Sequence, residues 1–409
     1  MPLLPAGAEV AIVAAALEGI RVVELAEGRS VAYCTKLLAG LGAKVVKVEP
    51  PEGDACRREG PFPGDLPNPE ASGLFLHLNT GKRGVTLNLD QAAGRALLLE
   101  LLAEADVLVE GFAPGALDAL GLGYAALSER FPALVMVSIT PFGQDGPYAH
   151  YAGGELICHA LSGYMSITGD PDREPLKPYS TQIEFQAGLQ GALGAIVTLT
   201  AREQDGHGDW VDVSAMEAAT FLLGGPAQVA ALTDEVRVRN GTRLIGLPPR
   251  YFYPSTLRPC RDGYVHAHTN IRHPDLMAAL MEQPRLAEPD LLEAPAAHAD
   301  EIDRLMDEWL AWHDRAEAVR LAQELRVPFT EVFRPDDVLA DPHHAERGAF
   351  VEIEHPAAGR LRQPGPAVRL SATPWQVTRA PLLGEHNAEI WGSRRSPHEL
   401  AQLRSLGAI

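Results

Sequence analysis

The segment Gly19–Asp54, GIRVVELAEGRSVAYCTKLLAGLGAKVVKVEPPEGD, constrains the fold most, because it holds a complete strand–loop–helix–strand unit. Ile20–Leu25 is a short apolar run rich in Val, and after the polar loop Ala26–Ser30 the residues Val31, Leu37, Leu38 and Leu41 recur at helical spacing. Gly40 and Gly42 end that helix, and Val45, Val46 and Val48 form a second apolar run. Parallel strands cannot be joined by a tight turn; they need a crossover, and the helix supplies it. The loop Ala26–Ser30 then opens at the carboxyl end of a parallel strand, where doubly wound sheets bind ligands. It is a candidate binding loop.

The pattern repeats. Gly84–Leu89 alternates like a half-buried strand, Ala92–Ala105 is a Leu-rich helix, and Asp106–Glu110 is another strand. Ala116–Phe131 reads as helix broken by Gly121 and Gly123, and Ala133–Ile139 as a buried strand closed by Pro141 and Gly143. Strands alternating with helices in this way define an α/β protein whose doubly wound, mostly parallel sheet is covered on both faces.

At 409 residues the chain has room for two or three domains of roughly 150 residues each. A formal net charge of −19 and the lack of a Lys/Arg stripe argue against a nucleic-acid partner or an anionic membrane surface. Local cation clusters at Lys82-Arg83 and Arg57-Arg58 leave an anionic ligand open, with solvated surface pairs as the equal alternative. Cys34, Cys56, Cys158 and Cys260 have neither metal nor redox spacing and make no disulfide framework, which points to the reducing cytoplasm. Pro2–Leu17 is Ala-rich but too short to span a bilayer and lacks a basic lead, so it reads as an extra helix or a loose arm.

Beyond Gly153 the pattern is helical to Leu193, interrupted by the turn Gly169-Asp170-Pro171-Asp172. Gln182–Arg202 is a long helix whose small residues Ala187, Gly188, Gly191, Ala192 and Gly194 permit close packing, and Glu184 stands in its first turn. A carboxylate there is favoured by the helix dipole alone, which is the plain structural reading of Glu184. Gln204–Val213 is a turn and strand, followed by the helix Ser214–Leu223. The character changes near Gly224, and the chain divides into a first large-domain part over 1–225, a smaller α+β domain over 226–335, and a return to the large domain over 336–409. The small domain holds strand-like runs at Arg250–Leu257 and Gly263–His268 and helices at Pro274–Met281, Glu301–Trp312 and Ala316–Leu325. A strand pair is expected at Ala349–Ile353 and Ala367–Leu370. His266, His268 and His273 lack a carboxylate or Cys to complete a metal site and read as a solvated strand face. His343-His344 caps a helix or faces solvent, and Trp309 and Trp312 read as core or dimer contact.

Together these stretches resemble the family III CoA-transferases (the CaiB/BaiF family), which include formyl-CoA:oxalate and carnitine CoA-transferases and the α-methylacyl-CoA racemases. The resemblance is carried by GIRVVEL at Gly19, LGAKVVKVEPPEGD at Leu41, LNTGKRGVTLNL at Leu78, ADVLVEGFAPGALDALGLGY at Ala105, GPYAHYAG at Gly146, ALSGYMSITGDPD at Ala160, GDWVDVSAME at Gly208 and LADPHHAERGAFVEIEHPAAG at Leu339. It implies a homodimer of interlocked rings, with CoA or acyl-CoA as substrate, no permanently bound cofactor and no metal. The implied CoA contacts fall on Arg29 and Ser30, on Leu87, Asn88, Leu89 and Asp90, on Gly111, Phe112 and Ala113, and on Ala152, Gly153 and Gly154. A cationic position of the family falls on Ala119, and the Gly-rich closing loop of some transferases has its counterpart, if any, at Gly241–Gly246.

The family's catalytic Asp falls on Glu184, and no Asp lies between Asp172 and Asp205 to replace it. Glu keeps the carboxylate but adds roughly 1.5 Å of reach. In the implied reaction that carboxylate attacks an acyl-CoA thioester, a mixed anhydride forms, and CoA thiolate returns to give a glutamyl-CoA thioester that an acceptor acid discharges. Backbone amides at the helix start would stabilise oxyanions, and Glu155 takes the family's second acidic position. Two alternatives remain: a catalytically altered paralogue that binds acyl-CoA, and a racemase, whose His position corresponds to Gly154.

Overall fold

The computed structural model describes residues 15–25, 28–244, 253–270, 272–366 and 368–409. The expected arm before residue 15, Ala26 of the candidate loop, the start of the run at Arg250, the end of the loop Gly241–Gly246 and Ala367 lie outside the described residues. Six strands, β1 (Arg21–Leu25), β2 (Lys44–Glu49), β3 (Lys82–Thr86), β4 (Val107–Glu110), β5 (Val135–Thr140) and β6 (Trp210–Ser214), form one sheet in the order β3-β2-β1-β4-β5-β6. Every pairing is parallel, as the crossover argument requires. The strand order reverses between β1 and β4, the point where such sheets open a ligand crevice.

The helices are α1 (Arg29–Gly40), α2 (Gly73–Leu78), α3 (Ala92–Leu102), α4 (Ala116–Ala119), α5 (Tyr124–Arg130), α6 (Glu155–Leu161), α7 (Gln182–Asp205) and α8 (Ala215–Phe221). Successive strand side chains point to opposite faces, so each face gathers its own core. Val22, Val107, Val135 and Val137 pack with Cys34 and Leu38 of α1 and Ala187 and Ala195 of α7. Val23, Leu108 and Met136 pack on the other face with Leu97 and Leu98 of α3 and with Trp391 from the C-terminal part of the chain. Gly188 lets α7 press onto α1, since a Cβ there would stand 2.5 Å from the Ser30 carbonyl oxygen.

The sheet also buries charge. Glu24 of β1 is fully buried, and its carboxylate accepts from Lys47 Nζ of β2 at 2.7 Å, from Lys82 Nζ of β3 at 2.8 Å and from Thr35 Oγ1 of α1 at 2.6 Å. Burial alone would raise the Glu24 carboxyl, but the two ammonium groups overcome it and hold the group at about 2. Lys47 Nζ reaches on to Asp54 Oδ2 at 2.6 Å, and Arg57 clasps Glu49 through Nε at 2.6 Å and Nη2 at 2.8 Å. Lys82 and Arg57 are therefore interior groups with committed partners, not the solvated pairs or free anion-binding clusters the sequence left open.

Contact density divides the chain into two compact units. The first takes Met1–Gly163, Pro178–Gly224 and His343–Ile409, and the second Tyr164–Lys177 and Gly225–Pro342. The second is larger than the expected 226–335, because Arg239 donates to the carbonyls of Asp170, Pro171 and Arg173 and Gly241 N–H to that of Gly169, which draws 164–177 into it. Its sheet is antiparallel, β7 (Ser255–Cys260), β8 (Gly263–His268) and β9 (Thr330–Glu331), with Val265, Met306 and Phe329 in its core. His266 and His268 are half-buried on β8 rather than solvated. Trp309 stacks on His313 at 3.9 Å between ring centres and half-packs onto that core, whereas Trp312 is exposed. In the first unit β10 (Phe350–His355) pairs with β11 (Gly359–Pro364), not with 368–370, because Gly359 at φ 70° closes the hairpin at once.

Replacing Glu24 with Gln leaves two buried amines without their counter-charge. It should cost about 3–5 kcal/mol and lower the urea midpoint of unfolding with little change in its slope. A loss below about 1 kcal/mol would show the buried cluster to be dispensable.

Candidate active site

Cavities open at the carboxyl ends of the strands. One, of about 340 Å³, is lined by Leu25, Val48, Glu49, Pro50, Pro51, Glu52, Leu87, Asn88, Leu89, Asp90 and Phe112. Another, of about 110 Å³, is lined by Ser30, Val31, Gly111, Ile139, Thr140, Pro141, Gly154, Glu155, Cys158, Ile183, Glu184 and Ala215. The loop after β4 joins them, with Gly111 in the smaller and Phe112 in the larger. The fold thus gathers Ser30, Gly111, Gly154, Glu155 and Glu184 in one place and Leu87 to Asp90 with Phe112 in the other. Ala113 lines a third hollow, beside Glu110, Tyr124 and Trp210. Ala152 is exposed and, like Gly153, lines none of the three.

Glu184 sits at the start of α7, facing the start of α1. Arg29, the first residue of α1, donates from Nη1 to Glu184 Oε2 at 3.0 Å and from Nη2 to Glu59. Arg29 is thus placed against the carboxylate at α7 rather than in the lining of the larger cavity. Burial pushes the Glu184 carboxyl above the ordinary carboxylate range; Arg29 opposes that rise, and Glu155 and Glu59 add to it. The dipole reading of Glu184 falls short, because its carboxylate turns to Arg29 while another residue serves the helix amides. That residue is Glu155, whose Oε2 accepts from the N–H groups of Ile183 at 3.0 Å and Glu184 at 3.1 Å. The amides expected to cradle oxyanions are therefore already occupied. The His159 ring, one turn along α6, lies 3.1 Å from Glu155 Oε1.

Glu59 escaped notice in the sequence because it stands in a Pro- and Gly-rich loop with no periodicity. The fold brings it to Arg29: Asp54 caps the turn Ala55–Arg58, accepting from Cys56 N–H at 2.8 Å, and buried Arg57 anchors that turn to Glu49. Among the described residues no group of three His, Cys, Asp or Glu side chains is arranged to hold a metal ion.

The family model for CoA-transferase family III matches residues 17–387, and the chain belongs to that family. It is 32% identical to the succinyl-CoA:(R)-benzylsuccinate CoA-transferase subunit BbsE of Thauera aromatica, over 92% of this chain and 94% of the relative. It is 31% identical to the formyl-CoA:oxalate CoA-transferase of Streptomyces avermitilis, over 96% and 99%. A crystal structure of a CAIB/BAIF family protein from Brucella suis superposes with a TM-score of 0.82 at 29% identity, covering 92% of this chain and 98% of that one.

An infrared titration of the Glu184 carboxyl should give a midpoint above the usual value of about 4.3. Because Arg29 favours the ionised form, Arg29→Gln should move that midpoint further up. A midpoint at or below the usual value in the wild type would contradict this balance of burial and pairing.

Proposed function

We propose that this protein moves CoA between an acyl-CoA and a free carboxylic acid, with Glu184 as the covalent carrier. The observation that carries the reading is the Glu184 carboxylate itself, paired with Arg29 Nη1 at 3.0 Å in a small cavity beside the sheet's switch point and next to a larger one. A Glu184 oxygen attacks the thioester carbon and CoA thiolate leaves with the C–S electron pair, giving a mixed anhydride. The thiolate then attacks the Glu184 acyl carbon and releases the donor acid, so the energy of the thioester is kept on the enzyme. The acceptor acid reverses both steps. Glu155 fixes the start of α7, and so the reach of Glu184, through the two amides it accepts from.

In this reading CoA spans the two cavities. The larger offers Pro50, Pro51 and Phe112 as apolar walls and Glu52 and Asp90 as acceptors, with no cation among its described lining residues, which suits the adenine ring and its amino group. Ala119 likewise brings no charge. Racemisation is less well served: it needs acid and base on opposite faces of the α-carbon, and Gly154 brings neither while His159 is buried against Glu155. The four free cysteines support a reducing, cytoplasmic setting, and no helix among the described residues is long and apolar enough to cross a membrane.

The chain works as an interlocked homodimer in this proposal. Sedimentation should give a dimer at every measurable concentration, because interlocked rings bury one another and leave no stable folded monomer. A folded monomer at nanomolar concentration would refute it. A hetero-assembly is favoured by relatives named as subunits, those of the benzylsuccinate and L-malate CoA-transferases; native mass spectrometry of the purified chain alone, with and without activity, separates the two.

The covalent reading is tested by intact-protein mass spectrometry after incubation with formyl-CoA, acetyl-CoA and succinyl-CoA, with hydroxylamine or borohydride trapping. The adduct should map to Glu184. Glu184→Gln should abolish transfer, by at least about 1,000-fold, while CoA binding measured by calorimetry persists. Glu184→Asp should lower the rate roughly 100-fold by retracting the nucleophile. Unchanged transfer in Glu184→Gln would end the proposal, and new activity in Glu184→Asp from a silent wild type would establish the altered-paralogue alternative.

A further inference from the structure

We infer that Arg29 is the receptor for the free carboxylic acid, and that it becomes available only when Glu184 carries its covalent load. The inference rests on the reading of Glu184 as the carrier. In the resting site one guanidinium serves two anions: Nη1 donates to Glu184 Oε2 at 3.0 Å and Nη2 to Glu59. The third carboxylate nearby, Glu155, is committed to the amides of Ile183 and Glu184 and lies beside His159. A free acid approaching this cluster brings a fourth negative charge to a site whose guanidinium is already shared, and like charges at such range repel.

Covalent loading changes that balance. As a glutamyl-CoA thioester, Glu184 is neutral and its oxygen is a poor acceptor. Nη1 then loses its charged partner and the guanidinium is balanced by Glu59 alone. A carboxylate can take the vacated place with a charge-assisted hydrogen bond. Because Nη1 stands 3.0 Å from a Glu184 oxygen, an acid bound there lies beside the acyl carbon it must attack. Its oxygen attacks the Glu184 carbonyl carbon, the C–S bond breaks and CoA leaves as thiolate. The thiolate attacks the acid's own carbonyl carbon, the C–O bond of the anhydride breaks, and Glu184 departs as a carboxylate. No proton moves. Glu184 then reclaims Nη1, which expels the product thioester from the acid's place.

Glu59 is a positioning residue in this scheme. By taking Nη2 it keeps Arg29 from turning both terminal nitrogens onto Glu184 in a bidentate pair, which would hold the nucleophile more tightly. It also retains the guanidinium when Glu184 becomes neutral. The rigid backing comes from the close approach of α7 to α1 at Gly188 and Ser30, which fixes the distance between the two partners.

The two half-reactions test this separately. Enzyme is loaded with succinyl-CoA, desalted, and discharged with increasing succinate, acetate or formate, with CoA ester formation followed by chromatography at a pH above the Glu184 titration. In Arg29→Gln the acid concentration for half-maximal discharge should rise roughly 10- to 100-fold, a larger change than any in the loading step, and Arg29→Lys should recover part of it. Glu59→Gln should slow loading more than it weakens the acid. Normal half-saturation by acid in a folded, loadable Arg29→Gln enzyme overturns this inference alone, as does equally tight binding of succinate to unloaded and loaded wild type. A wild type that never loads with any of the three donors overturns the carrier reading, and this inference with it.

Discussion

The contact between the Glu24 carboxylate and the ammonium groups of Lys47 and Lys82 joins the three strands β1, β2 and β3 from inside, and Thr35 adds α1 to the same carboxylate. Such a cluster is stable only when every charge is paired, because a single unpaired ion in the interior costs several kcal/mol. Through that one carboxylate it ties β1, β2 and β3 to one another and to α1. Lys47 extends the cluster to Asp54, and Arg57 clasps Glu49 nearby, so the loop after β2 is held to the sheet by charge. That loop carries Glu59, and through it the buried cluster reaches the candidate site.

At the site the same kind of physics works at the surface of the core. Arg29 and Glu184 stand on the first turns of two helices that Gly188 lets approach closely, and Glu155 satisfies the amides that open α7. Burial pushes the Glu184 carboxyl up while the guanidinium opposes the rise, so the group is partly desolvated and paired at once. Under the proposed covalent mechanism this is a useful compromise, since full hydration would blunt a nucleophilic carboxylate and full pairing would hold it. The longer side chain of Glu at the family's Asp position belongs to this arrangement, reaching from α7 to the start of α1.

The acidic balance of the chain acquires meaning at this scale. The formal net charge is −19, and the larger cavity has Glu52 and Asp90 among its described lining residues. Of the two cation pairs singled out in the sequence, Lys82 and Arg57 are spent on the interior. Arg29 stands where two helices and a loop meet and serves carboxylates from two of them.

The sheet was legible in the chain because alternation of period two and helical spacing are local properties, and a strand–helix–strand unit such as Gly19–Asp54 leaves a right-handed parallel crossover as its one economical fold. Glu184, Glu155 and the Leu87 to Asp90 turn were legible through family motifs and their places at strand and helix ends. What lay hidden was decided by contacts across long sequence separations. Nothing local distinguishes Lys82 from its neighbour Arg83, yet one is buried on Glu24 and the other half-exposed. The Glu59 partner of Arg29, the capture of the α7 amides by Glu155 and the transfer of 164–177 to the second unit all arise where distant segments meet. A sequence determines which groups a chain owns and how each segment prefers to coil; the pairing of a charge depends on the dielectric and the neighbours that only the packed structure supplies.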